Sequence, residues 1–325
     1  MSDRIHNSEY LPGRVVVTSS GNLAQRIAYH FSPGTVITLP HDRVVLDAPD
    51  TFALVPGIQP VDALLMDSLP QLKLIQCSGV GVENVDIPAA TRRGIYVANV
   101  PSAGTGNAES VAELAILHML ALARNYRGGE LNWNQPEGQS LWKKTVGIYG
   151  LGGIGQALAR RLRAFEVQLL GIKRQPDPQL AHTLGLEWLG TPTERSHLLQ
   201  HSDFVVIAAS ADNVTQPFGW EDFQQMKSSA YLINVTRGAW VDESALVKAV
   251  QNKVIAGAGL DVFQQEPLPV DSPLLQVNLH LTLTPHLGGH TDTASAGIAK
   301  AVVTNILRVA QGQTPENCLN VEVQG

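Results

Sequence analysis

Cysteine is scarce: Cys77 and Cys318 are the only two in 325 residues, which excludes a disulfide-built scaffold and suits a reducing, cytoplasmic setting. An excess of basic residues is also missing. With 23 Lys and Arg against 29 Asp and Glu, the formal net charge is −6, whereas a nucleic-acid binder would carry a basic face. No apolar run approaches the roughly 20 residues that a membrane span requires. The first ten residues hold no apolar signal core, so neither a membrane protein nor a secreted one is expected. What is present is apolar content, 44% of residues against 16% charged, enough for two domains of ordinary size. Cys77 lies in the apolar run 72–77 and reads as a core thiol rather than a nucleophile.

Short β-branched runs alternate with helical patterns along the chain, the signature of parallel α/β architecture. One series of strands is expected at residues 14–18, 35–39, 63–66, 72–76 and 94–98. A second is expected at 145–149, 167–172, 204–208, 231–234, 254–260 and 279–283. Two such series imply two α/β domains. The stretch 107–124 is apolar almost all round and predicts a buried helix. The stretch 291–311 carries Ile298, Val302, Val303, Ile306, Leu307 and Val309 on one broad face. If one helix enters the second domain and the other leaves it, residues 1–103 and 291–325 form one domain and 104–290 the other. The site is then expected in the cleft between them.

The segment Gly150-Leu151-Gly152-Gly153-Ile154-Gly155 follows the buried strand 145–149 and opens a helix whose Ala157, Leu158, Leu162 and Phe165 face inward. The strand 167–172 then completes a βαβ unit. In that context the glycines serve a tight turn, a close approach of backbone to pyrophosphate, and close helix–strand packing. The free N–H groups of the helix start favour the phosphates. An NAD site usually ends its second strand on an acidic residue for the ribose hydroxyls. Here Lys173 and Arg174 stand there, with no carboxylate before Asp177. Two cations suit a 2′-phosphate, so NADP(H) is expected ahead of NAD(H).

Four segments, in order and spacing, resemble the D-isomer-specific 2-hydroxyacid dehydrogenase family over nearly the whole chain. They are the turn from Gly79 to Asp86, the glycine fingerprint, the stretch from Leu232 to Leu246, and the pair Leu260–Pro267 with Thr284-Pro285-His286. The resemblance implies two flavodoxin- or Rossmann-like domains with an active site in their cleft. It also implies hydride transfer between a nicotinamide and a small 2-keto or D-2-hydroxy acid, with glyoxylate or hydroxypyruvate as leading substrates, in a homodimer.

The residue types agree with that chemistry. Arg237 directly follows a buried strand, where α/β proteins bind ligands, and its planar fork suits a carboxylate and a carbonyl oxygen together. His286 can protonate the forming alkoxide and take a proton back in the reverse direction. Glu266 would accept from the other ring nitrogen and hold the charged form. His286 and His290 do not read as a metal pair, because Gly288 and Gly289 break the helix that would align them. By resemblance, Asp261 accepts from the nicotinamide carboxamide and the amides of Val80 and Gly81 bind the substrate carboxylate. Thr105 contacts the cofactor and Thr236 lies near its ring. The loop 208–220 departs from the family pattern, and its Phe218 and Trp220 read as packing. A non-enzymatic, dinucleotide-sensing corepressor-like scaffold of the same fold is the alternative.

Overall fold

The run Arg14–Val17 seeds the first of two parallel sheets in a computed structural model, which describes residues 11–18, 22–40, 48–126, 133, 136–210, 214, 216–276 and 279–323. The chain divides into two units, Met1–Asn107 with Thr291–Gly325, and Ala108–His290.

The first unit holds β1 (Arg14–Val17), α1 (Asn22–Ala28), β2 (Val36–Thr38), β3 (Thr51–Val55), α2 (Ala63–Asp67), β4 (Leu74–Gln76), α3 (Ile87–Arg92) and β5 (Tyr96–Ala98). Its strands run in the order β2-β1-β3-β4-β5, all parallel, the flavodoxin-like arrangement. The strand expected at 63–66 is instead the helix α2. Asp62 caps it by accepting from the Leu65 amide at 2.9 Å, and Leu64 is 79% exposed, a one-sided burial that suits a helix face better than a doubly covered strand. The place in the sheet is taken by β3, buried at all its positions, as a central parallel strand must be. Cys77 is buried among the apolar residues behind β4, and burial pushes its thiol up to about 12.

The second unit begins within α4 (Asn107–Ala123) and continues through β6 (Thr145–Tyr149), α5 (Gly153–Leu162), β7 (Gln168–Ile172), α6 (Pro178–Leu184), β8 (Trp188–Gly190) and α7 (Arg195–His201). There follow β9 (Phe204–Ile207), α8 (Trp220–Phe223), β10 (Tyr231–Asn234), α9 (Glu243–Gln251), β11 (Gly257–Leu260) and β12 (Leu281–Leu283). The short edge strand β8 has no counterpart among the expected strands. All seven strands are parallel in the order β8-β7-β6-β9-β10-β11-β12, so the winding reverses between β6 and β9, where such sheets bind nucleotides. Helix α4 is not buried all round: Val111, Ala115, Met119 and Leu122 enter the core while Leu117 is 55% exposed.

Helix α10 (Asp292–Ala310) returns the chain to the first unit, where Ile298, Val302, Val303, Ile306 and Val309 pack in one core with β1, β3 and α1. Thr291 caps it, accepting from the Ala294 amide at 3.1 Å.

Candidate active site

The glycines of the turn after β6 differ in what requires them. Gly150 has φ +106°, and a Cβ there would lie 2.5 Å from the Ala209 amide nitrogen beyond β9. The turn therefore sits where the winding of the sheet reverses. A Cβ on Gly155 would collide with the Gly150 carbonyl. Gly152 is different: it caps α5 with φ −81° and ψ −157°, a conformation any residue adopts, and a Cβ there would meet nothing within 4 Å. Nothing in the protein's own packing calls for glycine at 152. The space open beside Gly152, at the start of α5, fits an approaching pyrophosphate. Leu151 is buried against Gly171 of β7 and offers only its backbone.

Past the end of β7, the Lys173 amide is tied to the Gly190 carbonyl at 3.0 Å, and Arg174 is exposed. Asp177, the first carboxylate downstream, caps α6 by accepting from the amides of Gln179 and Leu180 at 3.0 and 3.2 Å. That strand tip presents cations rather than a carboxylate.

The ends of β10, β11 and β12 bring Arg237, Glu266 and His286 together. After β10, the fully buried Asn234 staples the turn: its amide donates to the Arg237 carbonyl at 2.8 Å, while its Oδ1 accepts from the Thr236 amide at 3.2 Å. A side chain at Gly238 would collide with the Phe263 carbonyl. Its absence lets the Arg237 turn lie against the segment after β11. There the Phe263 amide donates to Glu266 Oε1 at 3.0 Å, and Glu266 Oε2 accepts from His286 Nδ1 at 2.7 Å. His286 has φ +54°, a left-handed conformation uncommon for a side-chain-bearing residue. Its amide donates to the Asp261 carbonyl at 2.8 Å.

The charges follow from this geometry. The Glu266 hydrogen bond raises the His286 pKa above its ordinary 6.5, with the Glu266 and Asp261 charges adding to it against burial and the Arg237 charge. Burial alone would lift Glu266. The His286 hydrogen bond, the Phe263 amide and the charges of His286 and Arg237 outweigh that and hold it below the ordinary carboxylate value. The pair is thus poised as carboxylate and imidazolium, with Nδ1–H committed to Glu266. The second ring proton is then on Nε2.

Asp261 is only 1% exposed, and its carboxylate accepts from the Thr284 hydroxyl at 2.5 Å, the Leu287 amide at 2.7 Å and the Gly288 amide at 2.9 Å. Of about four acceptor sites on a carboxylate, three serve the turn that carries His286. In the first unit, the Val80 carbonyl accepts from Asn99 at 2.9 Å and the Gly79 carbonyl from the Val100 amide at 3.0 Å. The amides of Val80 and Gly81 meet no acceptor among the described residues. Thr105 turns its hydroxyl to the carbonyls of Pro101 and Ser102 at 3.2 and 3.1 Å. In the loop after β9, residues 211–213 and 215 lie outside the described residues. Phe218 is fully buried, and Trp220 packs beside the same core under the Lys248 ammonium.

Sequence reasoning passed over Asn234 and Thr284. Each was visible as a polar residue at or just beyond the end of an otherwise apolar strand, where a buried side chain must find a partner.

Residues 114–288 match the family model described as D-isomer specific 2-hydroxyacid dehydrogenase, NAD binding domain. The chain is 38% identical to the glyoxylate reductase of Thermococcus litoralis over 280 residues, 81% of each chain. It is 36% identical to glyoxylate/hydroxypyruvate reductase B of Shigella flexneri over 320 residues, 93% of this chain and 95% of the other. Among solved structures it is similar to the NADPH-dependent glyoxylate/hydroxypyruvate reductase of Sinorhizobium meliloti in complex with NADP and malonate. That likeness has a TM-score of 0.77 at 29% identity and covers 96% of this chain and 98% of that one. These relatives are reductases by name and lend nothing to a non-catalytic scaffold.

Proposed function

The chain belongs to the D-isomer-specific 2-hydroxyacid dehydrogenase family, and from that premise we propose that it reduces glyoxylate or hydroxypyruvate with NADPH. It is a nicotinamide-dependent oxidoreductase that interconverts a 2-keto acid and its D-2-hydroxy acid.

When bound, the dinucleotide supplies or accepts the hydride. The chain's own residues do the rest. In reduction, His286 gives its Nε2 proton to the carbonyl oxygen as negative charge develops there, while Glu266 holds the ring in orientation through Nδ1. In oxidation the same nitrogen takes the hydroxyl proton. Arg237 grips the substrate carboxylate and keto oxygen with its planar fork, and the amides of Val80 and Gly81 add donors to the carboxylate. Gly150, Leu151, Gly152, Gly153, Ile154 and Gly155 hold the pyrophosphate. Lys173 and Arg174 favour the 2′-phosphate, a reading supported by Asp177 being occupied in its helix cap. Thr105 and Thr236 border the cofactor, and Asp261 turns its remaining acceptor site to the carboxamide. In this reading residues 104–290 bind the dinucleotide, and 1–103 with 291–325 the substrate. The protein works in the cytoplasm as a homodimer, for which the exposed Leu117 on α4 offers apolar surface.

The 2.7 Å contact of His286 with Glu266 beside the Arg237 charge carries the proposal. Assaying a panel of 2-keto acids with NADPH and NADH in parallel tests it. The highest kcat/KM is expected for glyoxylate or hydroxypyruvate with NADPH. Equal use of NADH would remove the Lys173–Arg174 argument, and preference for a bulkier acid would remove the substrate assignment.

A further inference from the structure

Helix α4 carries a histidine that the chemistry above does not use. His118 is 1% exposed, and its whole ring is enclosed. Nδ1 lies 2.8 Å from the Thr282 hydroxyl and Nε2 3.1 Å from the Thr284 hydroxyl, the two threonines flanking Leu283 at the end of β12. A Cβ on Gly259 of β11 would come within 2.7 Å of the His118 Cβ. The neighbouring strand is thus kept bare where the imidazole enters.

Counting protons gives the network a direction. The Thr284 hydroxyl has one proton, and at 2.5 Å it goes to Asp261 Oδ1, which as a carboxylate can only accept. Thr284 must then receive from His118, so the proton of the ring is on Nε2 and Nδ1 accepts from Thr282. Every polar atom of the ring is satisfied in one neutral tautomer. Burial, opposed by the Asp261 charge, pushes the His118 pKa down to about 4, so the ring stays neutral at working pH. Downstream, Asp261 gathers the amides of Leu287 and Gly288 and its carbonyl holds the amide of His286.

We propose that His118 is a positioning residue for the proton donor, acting through Thr284 and Asp261 to fix the turn on which His286 is held. His286 holds φ +54°, a sparsely populated conformation that a surrounding constraint must favour. Asp261 provides that constraint, and the oriented Thr284 hydroxyl fixes Asp261. The groups whose charge reaches His286 are Glu266 and Asp261 from the β11 side and Arg237 from the β10 side. Of these, Asp261 alone is bonded to the relay.

The proposal rests on His286 being the acid, and the experiment separates the two. His118→Leu, Thr284→Val, the double variant and His118→Gln are compared with wild type for kcat, KM and the alkaline limb of keto-acid reduction. Displacement of the acid by a fraction of an ångström is expected to lower kcat about tenfold in His118→Leu. The alkaline midpoint should move to lower pH. The double variant should fall no further than the worse single one. His118→Gln, whose amide can donate to Thr284 and accept from Thr282, should recover most of the loss. A folded His118→Leu with wild-type kcat and midpoint, or losses that multiply in the double variant, overturns the proposal. Nitrogen-15 imidazole spectra of the wild-type protein give a reading independent of how the variants fold. They should show His118 protonated on Nε2 alone from pH 5.5 to 9, and an Nδ1–H form there overturns the relay. His286→Gln tests the acid itself. If its turnover keeps the alkaline limb, the acid assignment fails. If the limb is lost there while His118→Leu behaves as wild type, only the positioning role fails.

Discussion

Two turns at the same edge of the second sheet reach their shapes by opposite means. The turn after β6 is made by leaving side chains out: Gly150 and Gly155 are needed because a Cβ would strike Ala209 or the Gly150 carbonyl. The turn after β12 is made by putting side chains in, with His286 at φ +54° secured by Asp261, Thr284 and Glu266. The glycines of the first lie within six residues of one another, set against the backbone that follows β9. The other draws on residues far apart in the chain. A site for a ligand's charged backbone can be written in contiguous sequence, whereas a site that moves a proton has to be assembled from several strands.

The sharpest way to break the comparison is His286→Ala. Loss of the acid is expected to lower kcat for keto-acid reduction by about 10²–10⁴-fold with dinucleotide affinity unchanged, and a parallel loss of affinity would mean that the two turns are not separable. Next in size is Gly155→Val. Overpacking against Gly150 should cost about 1–3 kcal/mol of stability and also weaken dinucleotide binding, read by thermal melting and fluorescence titration. Glu266→Gln should act through protonation. Without its anionic partner the His286 pKa falls from its raised value toward the ordinary 6.5. The alkaline limb of reduction should then move to lower pH, and so should the acid limb of oxidation, which needs the neutral ring. An unmoved limb would assign the raised pKa to another neighbour. The smallest effect on the fold is expected for Gly152→Ala. Its Cβ meets no protein atom within 4 Å, so stability should stay within about 0.5 kcal/mol while dinucleotide affinity drops. Unchanged affinity would show that Gly152 does not face the cofactor.

The same contrast explains what the sequence made legible. The glycine fingerprint and the strand preceding it are contiguous in the chain, and the two cations at 173 and 174 directly follow the next strand of the same βαβ unit, so their arrangement follows from local rules. Arg237, Glu266 and His286 were visible through motif resemblance, each just beyond a strand. Asn234 and Thr284 were visible only as polar residues at strand ends, without what they hold: the turn of residues 236 and 237 for Asn234, and Asp261 beyond the neighbouring strand for Thr284. The segment 63–66 shows the limit of apolar patterning. Ala-Leu-Leu-Met reads equally as a buried strand or one helical turn, and the deciding element is Asp62, whose carboxylate caps the helix. The run Thr51–Val55 lacks alternation because both its faces are covered, leaving no periodicity to mark it.

The strand order has a consequence for how such an enzyme can diverge. Lys173 and Arg174 follow β7, on one side of β6, whereas Arg237, Glu266 and His286 follow β10, β11 and β12, on the other. If Lys173 and Arg174 select the dinucleotide as proposed, the redox currency can be exchanged through substitutions on one flank without retuning proton transfer on the other, which leaves a short mutational path between the two reduced dinucleotides.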